Sequence, residues 1–286
     1  MECNSDCQTY KMKNTPRLDR LSALLEGVAP RVEVSRPEAD ACAIVGEASA
    51  RQFLHLYLIA EGTVCLREAR EKSRTVETPA IVVCRADAAH VLESVPAEAF
   101  RGLLCAKAYL DGPVGKLLFN EFAEPLAVSL AESDASLSHV IQLIASELQT
   151  PRCGQPALLD RAGDILFIGL LRHLIAHPKV GGGLFGGLAD PRIARALVAM
   201  HTAPQSGWTL ETLAAEAGMS RTSFANTFRD VMHQTPGKYL SKLRLAIAAQ
   251  AVQSGRGLKK AASESGYLSP SALSRALSRA RSPSLN

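Results

Sequence analysis

The stretch Trp208–Leu240, WTLETLAAEAGMSRTSFANTFRDVMHQTPGKYL, decides how the rest of this 286-residue chain is interpreted. Within it, Gly218 is placed to end one short helix and Ser220 to cap the next. On the second helix Phe224 and Phe228 share one face, because residues four apart lie about one turn from each other. The pattern predicts a helix-turn-helix whose second helix enters a DNA major groove. A helical hairpin inside a protein core is the alternative.

A second copy of this pattern follows about 48 residues later. The segment Leu258–Gly266 repeats Leu210–Gly218, and after one inserted residue Leu273 and Leu277 take the places of the two phenylalanines. Between the copies, Pro236 begins an amphipathic helix of about 18 residues, which spans roughly 27 Å at about 1.5 Å per residue. The spacing therefore predicts two reading helices on the same side of DNA, about one helical turn apart.

With these features the last third of the chain resembles the AraC-type family of bacterial transcription regulators, whose DNA-binding domain joins two helix-turn-helix units by a long helix. The resemblance weakens at the end, where Leu273, Leu277 and Arg281 stand in place of the family's usual aromatics and only Ser282-Pro283 remains of its closing motif. We therefore expect the second unit to be less well packed than the first. The matching residues are Trp208, Leu210, Leu213, Ala214, Gly218, Met219, Ser220, Phe224, Phe228, Pro236, Tyr239, Leu243, Arg244, Gly266, Tyr267, Ser269 and Ser271.

The resemblance also implies roles for individual side chains. In the first unit, Thr222, Ala225 and Asn226 are expected to contact bases, whereas Arg221 and Arg229 are expected to reach phosphates. In the second unit the arginines opposite the two leucines are expected to add phosphate contacts. The predicted DNA-contacting residues are Ser220, Arg221, Thr222, Ala225, Asn226, Arg229, Ser269, Ser271, Arg275 and Arg279.

The charge distribution supports this interpretation. Residues 190–286 hold 13 Lys or Arg against 5 Asp or Glu, a net charge of +8, whereas residues 1–189 carry −4. A basic segment that coincides with the predicted helix-turn-helix pair is typical of phosphate contact, although solvated protein surfaces also carry such a surplus.

The first part of the chain is predicted to contain many short strands with turn residues between them. This pattern is typical of a small β-barrel or jelly roll. Two of its segments, Phe53–Gly62 and Thr78–His90, are similar to the two strand-turn motifs of cupins. The resemblance implies a cupin-like sensor, and the expected fold is a two-domain α+β chain with helices packed on the barrel. The strand candidates are Val32–Val34, Cys42–Val45, Gln52–Ala60, Thr63–Arg67, Thr75–Val76, Ala80–Cys84, His90–Leu92 and Gly102–Leu110.

Cupin enzymes hold a metal ion with histidines and a carboxylate, so the resemblance names positions to check. His90 matches the histidine of the second motif, and His55 stands where the carboxylate would be. The paired histidines upstream are missing, because residues 49–52 offer no ligand, and two imidazoles alone make a poor site. The sequence therefore favours a binding module without metal or cofactor. A cupin-type metalloenzyme with an accessory helical domain is the alternative.

The chain has seven cysteines, all before residue 154, and none forms a CxxC pair. Cysteines in apolar strands usually behave as small hydrophobic residues. The alternative is a redox sensor in which cysteines on neighbouring strands form a regulatory disulfide, with Cys84 and Cys105 as the candidates.

The organisation that follows has three parts: a cupin-like sensor over residues 1–125, a helical dimerisation and linker region over 126–187, and the DNA-binding domain over 188–286. Residues 17–25 are predicted to be helical, residues 181–187 are glycine-rich and predict a flexible linker, and Asp190-Pro191 is expected to begin the next helix. We expect a cytoplasmic homodimer that binds double-stranded DNA and RNA polymerase, with no membrane segment. The effector, a small molecule or an oxidant, the operator, and whether transcription rises or falls are left open.

Overall fold

The computed structural model describes residues 19–37, 41–68, 73–97, 100, 102–131, 135–177 and 183–281. In this part of the chain nine strands form two antiparallel sheets. The larger sheet has the order β1 (Pro30–Ser35), β8 (Leu103–Leu110), β3 (Phe53–Ile59), β6 (Ala80–Arg85) and β9 (Leu126–Ser129). The smaller has the order β2 (Ala43–Gly46), β7 (His90–Val95), β4 (Thr63–Glu68) and β5 (Ser73–Glu77).

The two sheets face each other and do not join into a closed barrel in the described residues, so of the small β-barrel or jelly roll that the strand spacing predicted, the two-sheet alternative is the one observed. Alternation along the strands explains the packing. Val64 and Leu66 point inward from β4 and meet Tyr57 and Ile59 of β3. The other face of β3 is also apolar and packs against helices, which is why almost the whole of Phe53–Ile59 is buried.

Four helices accompany the sheets: α1 (Ser22–Val28), α2 (Gly115–Asn120), α3 (Ala135–Gln149) and α4 (Gln155–Ala176). The predicted helix at residues 17–25 begins later, at Ser22, and its first two residues lie outside the described part of the chain. Helix α4 lies over β1, where Gly163 fits against Val32 and the carboxylate of Asp164 accepts a hydrogen bond from the Val32 amide at 3.1 Å. This contact covers one edge of the larger sheet.

Two features of residues 126–187 differ from the prediction. The region begins with strand β9, in which Val128 pairs with Ile81, and not with a helix. The glycine-rich segment is also not a flexible linker over its described residues, because Leu184–Ala189 forms helix α5. Leu184, Phe185 and Leu188 are buried in this helix, and the burial of these apolar side chains outweighs the low helix propensity of glycine.

The remaining helices are α6 (Pro191–Thr202), α7 (Leu210–Ala217), α8 (Arg221–Met232), α9 (Pro236–Gln253), α10 (Leu258–Ser265) and α11 (Pro270–Arg281). As predicted, Asp190 caps α6, with its carboxylate accepting from the amides of Arg192 and Ile193. One continuous apolar core runs from the larger sheet through α4, α5 and α6 to α8 and the first half of α9. The second helix-turn-helix has a small core of its own.

Candidate nucleic-acid interface and sensor core

The first helix-turn-helix is built from α7 and α8, and local interactions set its turn. Thr209 and Thr212 form a capping box at the start of α7. Gly218 ends the helix in the left-handed region, at a φ of 65°, which glycine adopts without the steric cost of a Cβ. The Ser220 hydroxyl then accepts a hydrogen bond from the Ser223 amide at 3.3 Å and caps α8.

Aromatic packing holds α8 in place. The Phe224 and Phe228 rings are fully buried and meet edge to face, with 5.6 Å between their centroids, and Phe228 also contacts Tyr239 of α9. The Tyr239 hydroxyl lies 2.7 Å from Nε2 of His201 on α6. Burial lowers the pKa of His201 to about 4, so the ring is neutral at pH 7 and shares a single hydrogen bond with the Tyr239 hydroxyl.

The predicted reading residues lie together on the opposite face of α8. Thr222, Asn226 and Arg229 are exposed and Ala225 is half-buried. The Arg229 guanidinium donates to the Asn226 side-chain oxygen at 3.3 Å, so these two side chains form one polar unit. Arg221 is exposed but forms a 2.8 Å ion pair with Glu211 of α7, so contact with a phosphate requires it to exchange partners.

The second unit, α10 and α11, repeats the plan with fewer contacts in its core. Gly266 ends α10 at a φ of 76°, and the Ser269 hydroxyl accepts from the Ala272 amide at 3.2 Å. Leu273 is buried among alanines, whereas Leu277 is only half-buried. The inserted residue, Leu268, is fully exposed in the turn. The side chains of Ser271, Arg275 and Arg279 are exposed on α11, while that of Arg281 lies outside the described residues.

Two arginines that sequence reasoning did not assign to a role hold the helix-turn-helix units together. Arg195 of α6 donates to the Ala217 carbonyl at 2.7 Å, where α7 ends. Arg244 of α9 donates to the carbonyls of Pro204 and Ser206 at 2.7 and 2.6 Å, fixing the loop that leads into α7. Arg244 is among the residues that match the family, but the role of neither arginine follows from local sequence, because each binds backbone carbonyls that are distant along the chain.

In the sensor, three ring side chains form a buried cluster between the sheets. The centroids of the His55 and His90 rings are 5.1 Å apart, and the Tyr57 hydroxyl lies 2.8 Å from Nε2 of His90. Nδ1 of His90 donates to the Ala88 carbonyl, so its Nε2 accepts from Tyr57. Burial lowers the pKa of His55 to about 4, and its Nε2 is buried without a hydrogen-bond partner.

Cys84 and Cys105 lie on the two strands that flank β3, which carries His55 and Tyr57. Cys84 lies opposite His55 on β6, and Cys105 lies opposite Tyr57 on β8. Because β3 separates them and their partners on β3 are two residues apart, their Cα atoms are about 12 Å apart, beyond the roughly 7 Å limit for a disulfide. No two cysteines in the described ranges lie on paired strands, so the alternative of a regulatory disulfide between neighbouring strands has no such pair to form it. Cys3 and Cys7 lie outside the described residues.

The thiols are also poorly suited to oxidation. Burial raises the pKa of Cys84 to about 12 and that of Cys105 to about 11, so both are protonated at neutral pH. Since the thiolate is the reactive form, these two positions behave as apolar contacts in the core between the sheets.

The comparisons with known proteins match both halves of the chain. A family model described as Cupin covers residues 19–176, more than half of the chain, and a model described as Helix-turn-helix domain covers residues 213–282. The chain belongs to the AraC-type regulator family with an N-terminal cupin domain. The second match spans both helix-turn-helix units, from Leu213 in α7 into the last residues of the chain.

Individual relatives of this AraC-type chain carry names of the same kind. The HTH-type transcriptional regulator AlkR of Acinetobacter baylyi is 30% identical over 62% of this chain and 59% of its own length. The RCS-specific HTH-type transcriptional activator RclR of Escherichia coli is 37% identical over 40% of each chain. The match thus covers little more than half of the length of AlkR and less than half of the length of RclR. The crystal structure of ToxT from Vibrio cholerae aligns with 86% of this chain and 92% of its own, at 12% identity and a TM-score of 0.35.

Within this AraC-type chain, the positions at which cupin enzymes hold a metal form no complete ligand set. In the described ranges no group of three or more His, Cys, Asp or Glu side chains could hold a metal ion. His55 and His90 are instead packed against aromatic rings. None of the described helices is long and apolar enough to cross a membrane.

Helix α5 connects the sensor to the first DNA-reading unit. At its start the Leu184 amide donates to the carboxylate of Glu121, which follows α2, at 2.8 Å. At its end Arg20 donates to the carbonyls of Leu188 and Ala189 at 3.1 and 3.2 Å. A negative charge at the amino end and a positive charge at the carboxyl end both complement the helix dipole. On its other side α5 packs against α8, where Gly187 leaves room for the Met232 side chain.

Proposed function

We propose that this protein is a sequence-specific DNA-binding transcription regulator controlled by its cupin-like sensor. The observation that carries the proposal is the pair of helix-turn-helix units at the two ends of α9. Each presents exposed polar and basic side chains on its second helix, on the face away from its apolar core. An 18-residue connector spans about 27 Å, which suits two helices entering successive major-groove segments.

Asn226 is the best candidate for base recognition. An asparagine reads adenine by accepting from one base atom and donating to another, and its side chain is exposed on α8. In the free protein its oxygen already accepts from Arg229, which holds the amide in one orientation. Arg229 would then contact the phosphate backbone beside it, so the two residues are expected to act together on DNA.

The proposed organisation keeps a sensor, a helical region and a DNA-binding region with divisions near residues 125 and 187. We assign β9 to the sensor and α5 to the DNA-binding region because of their packing. Homodimerisation through the helical region would match paired half-sites, and RNA polymerase is the expected protein partner. The burial of Cys84 and Cys105 favours a small-molecule effector over an oxidant.

The test measures binding of the full-length protein to its operator, selected from random-sequence DNA, and to unrelated DNA, over a range of salt concentrations. Asn226→Ala should weaken operator binding by about 1 to 3 kcal/mol and leave binding to unrelated DNA unchanged. Arg229→Ala should weaken both and reduce the salt dependence. Arg161→Ala, an exposed change on α4 with the same loss of charge, is the matched control.

Equal loss of operator and non-specific binding in Asn226→Ala would contradict the assignment of base recognition to this residue. If selection recovers no preferred sequence from the unaltered protein, the proposal of sequence-specific regulation fails as a whole. A double-mutant cycle on Asn226 and Arg229 measures their coupling, which we expect to be favourable because one orients the other.

A further inference from the structure

The sensor contains a cavity of about 620 Å³ at one end of the larger sheet. Four strands of the sheet contribute residues at or beside their ends. These are Arg36 after β1, Leu58 and Ile59 in β3 with Ala60 after it, Pro79 before β6 and Leu103 in β8. Helix α3 covers the cavity from the side. This volume is in the range of pockets that enclose small organic ligands.

The lining is mainly apolar. Leu58, Leu104, Leu130 and Ile141 contribute to its walls, while Gln142 and Gln149 of α3 add amide groups. Among the described lining residues, Arg36 carries the only charge. An apolar chamber with a single guanidinium fits a ligand that has an apolar body and one negative group.

Arg36 also ties the sheet to the helix above the cavity. Its guanidinium donates to the Ala145 carbonyl of α3 over 3.4 Å, a long hydrogen bond on an exposed side chain. A carboxylate accepts two short hydrogen bonds from a guanidinium and is a stronger partner than a backbone carbonyl. A bound carboxylate would therefore replace the Ala145 carbonyl as the partner of Arg36, and the hydrogen bond between Arg36 and α3 would be lost.

We propose that this cavity is the effector site of the sensor and that its ligand is an amphipathic monocarboxylate, with its carboxylate on Arg36 and its hydrocarbon part against Leu58, Leu104 and Ile141. The proposal rests on the regulatory function proposed above and specifies its input. Movement of α3 reaches the DNA-reading unit through packed helices. Leu137 of α3 lies against Gly169 of α4, α4 packs on α5, and Gly187 of α5 lies against Met232 of α8.

The experiment uses the full-length protein and the neutral dye Nile red, whose fluorescence rises in apolar cavities. Decanoate and decanol, which share a ten-carbon chain, serve as competitors. Decanoate should displace the dye at a concentration at least about 10-fold lower than decanol, because hydrogen bonds to charged groups are the stronger ones. Arg36→Gln should remove this difference without preventing dye binding, and Arg161→Gln is the matched control for charge.

A second variant tests the location. Gln142 is exposed on α3 and lines the cavity, so Gln142→Trp places an indole at the cavity without disturbing the core, and it should reduce binding of dye and competitors together. Circular dichroism and thermal unfolding confirm that each variant is folded. Equal competition by decanoate and decanol, or an unchanged preference in Arg36→Gln, would overturn the proposal, as would full dye binding in folded Gln142→Trp. None of these readouts uses DNA, so failure here is distinct from failure of the proposed regulatory function.

Discussion

The two helix-turn-helix units of this protein share one plan and differ in what supports them. Both end their first helix at a left-handed glycine and cap their second with a serine. In the first unit, Phe224 and Phe228 belong to a core that is continuous with the sensor. In the second, one buried leucine packs among alanines in a separate cluster. The same motif can therefore be a rigid part of the whole molecule or a small appendage carried by one helix.

The difference in apolar burial between the two units can be expressed as a free energy. Replacing two buried aromatic rings by one buried and one half-buried leucine removes apolar burial, and each 100 Å² of lost burial corresponds to about 2.5 kcal/mol at about 25 cal/mol per Å². A unit with so small a core is expected to open locally without unfolding the rest of the chain. The first unit, by contrast, is expected to unfold only with the larger core.

The largest expected effect comes from removing a ring of the first unit. Phe228→Ala should lower the free energy of unfolding by about 3 to 5 kcal/mol, since it opens a cavity in the continuous core. The fluorescence of Trp208, the only tryptophan, reports on this unit during denaturant titration, because its indole donates to the Ala203 carbonyl beside α7. Leu273→Ala should leave the Trp208 transition in place while reducing helix content. A Trp208 transition shifted equally by both changes would show that the two units unfold together.

Acid should weaken the first unit through His201. Its pKa in the folded protein is about 4, below the unfolded value of 6.5, so between these pH values the unfolded chain binds a proton that the folded protein does not. Stability therefore falls as pH decreases through this window, by about 2 kcal/mol between pH 7 and pH 5. His201→Gln keeps a polar partner for Tyr239 but cannot titrate, so its unfolding, followed by Trp208 fluorescence, should lose this component. An unchanged pH dependence would mean that other groups cause it.

We expect the two units to contribute unequally to operator binding, as they do to stability. Arg275→Ala removes an exposed cation from α11 and should weaken operator binding by less than Asn226→Ala, because we expect it to contact phosphate only. The salt dependence should decrease in Arg275→Ala and remain unchanged in Asn226→Ala. If Arg275→Ala has the larger effect and acts on the operator alone, the second unit reads bases itself.

Amide hydrogen exchange of the free protein measures the smallest expected effect, which is the difference in local stability between α11 and α8. Amides in α11 should exchange faster than those in α8, because α11 buries mainly Leu273 and its turn exposes Leu268. Operator DNA should slow exchange in α11 more than in α8. Equal protection of both helices before DNA is added would contradict the view of the second unit as a loosely held appendage.

Much of this fold could be predicted from local sequence patterns. The end of α7 and the start of α8 followed from Gly218 and Ser220, because caps and left-handed glycines act within a few residues. All eight predicted strands are present, with each end within three residues of its predicted position, since alternation and turn residues are also local signals. The face of α8 that carries Asn226 followed from helical periodicity alone.

The parts that were not predicted depend on partners distant in the chain. Strand β9 is only four residues long, and its pairing with β6 is what makes it a strand. Helix α5 looked like a linker because its glycines suggest flexibility, whereas its leucines and Phe185 are buried by α4, α6 and α8. The carbonyl contacts of Arg195 and Arg244 and the cavity beneath α3 likewise exist only once the elements have assembled.

The short helix α5 also has a consequence for exchanging sensor domains between relatives. A join made in the glycine-rich segment would separate Leu184–Ala189 from α6 and α8, or leave it facing a foreign sensor without Glu121 and Arg20 at its two ends. Hybrid proteins that keep their function are therefore expected to have sensors with an acidic residue at the position of Glu121 and a basic residue at the position of Arg20. Compatibility between the halves of such a hybrid would be decided by two charged side chains and a six-residue helix, and much less by the length of the connection.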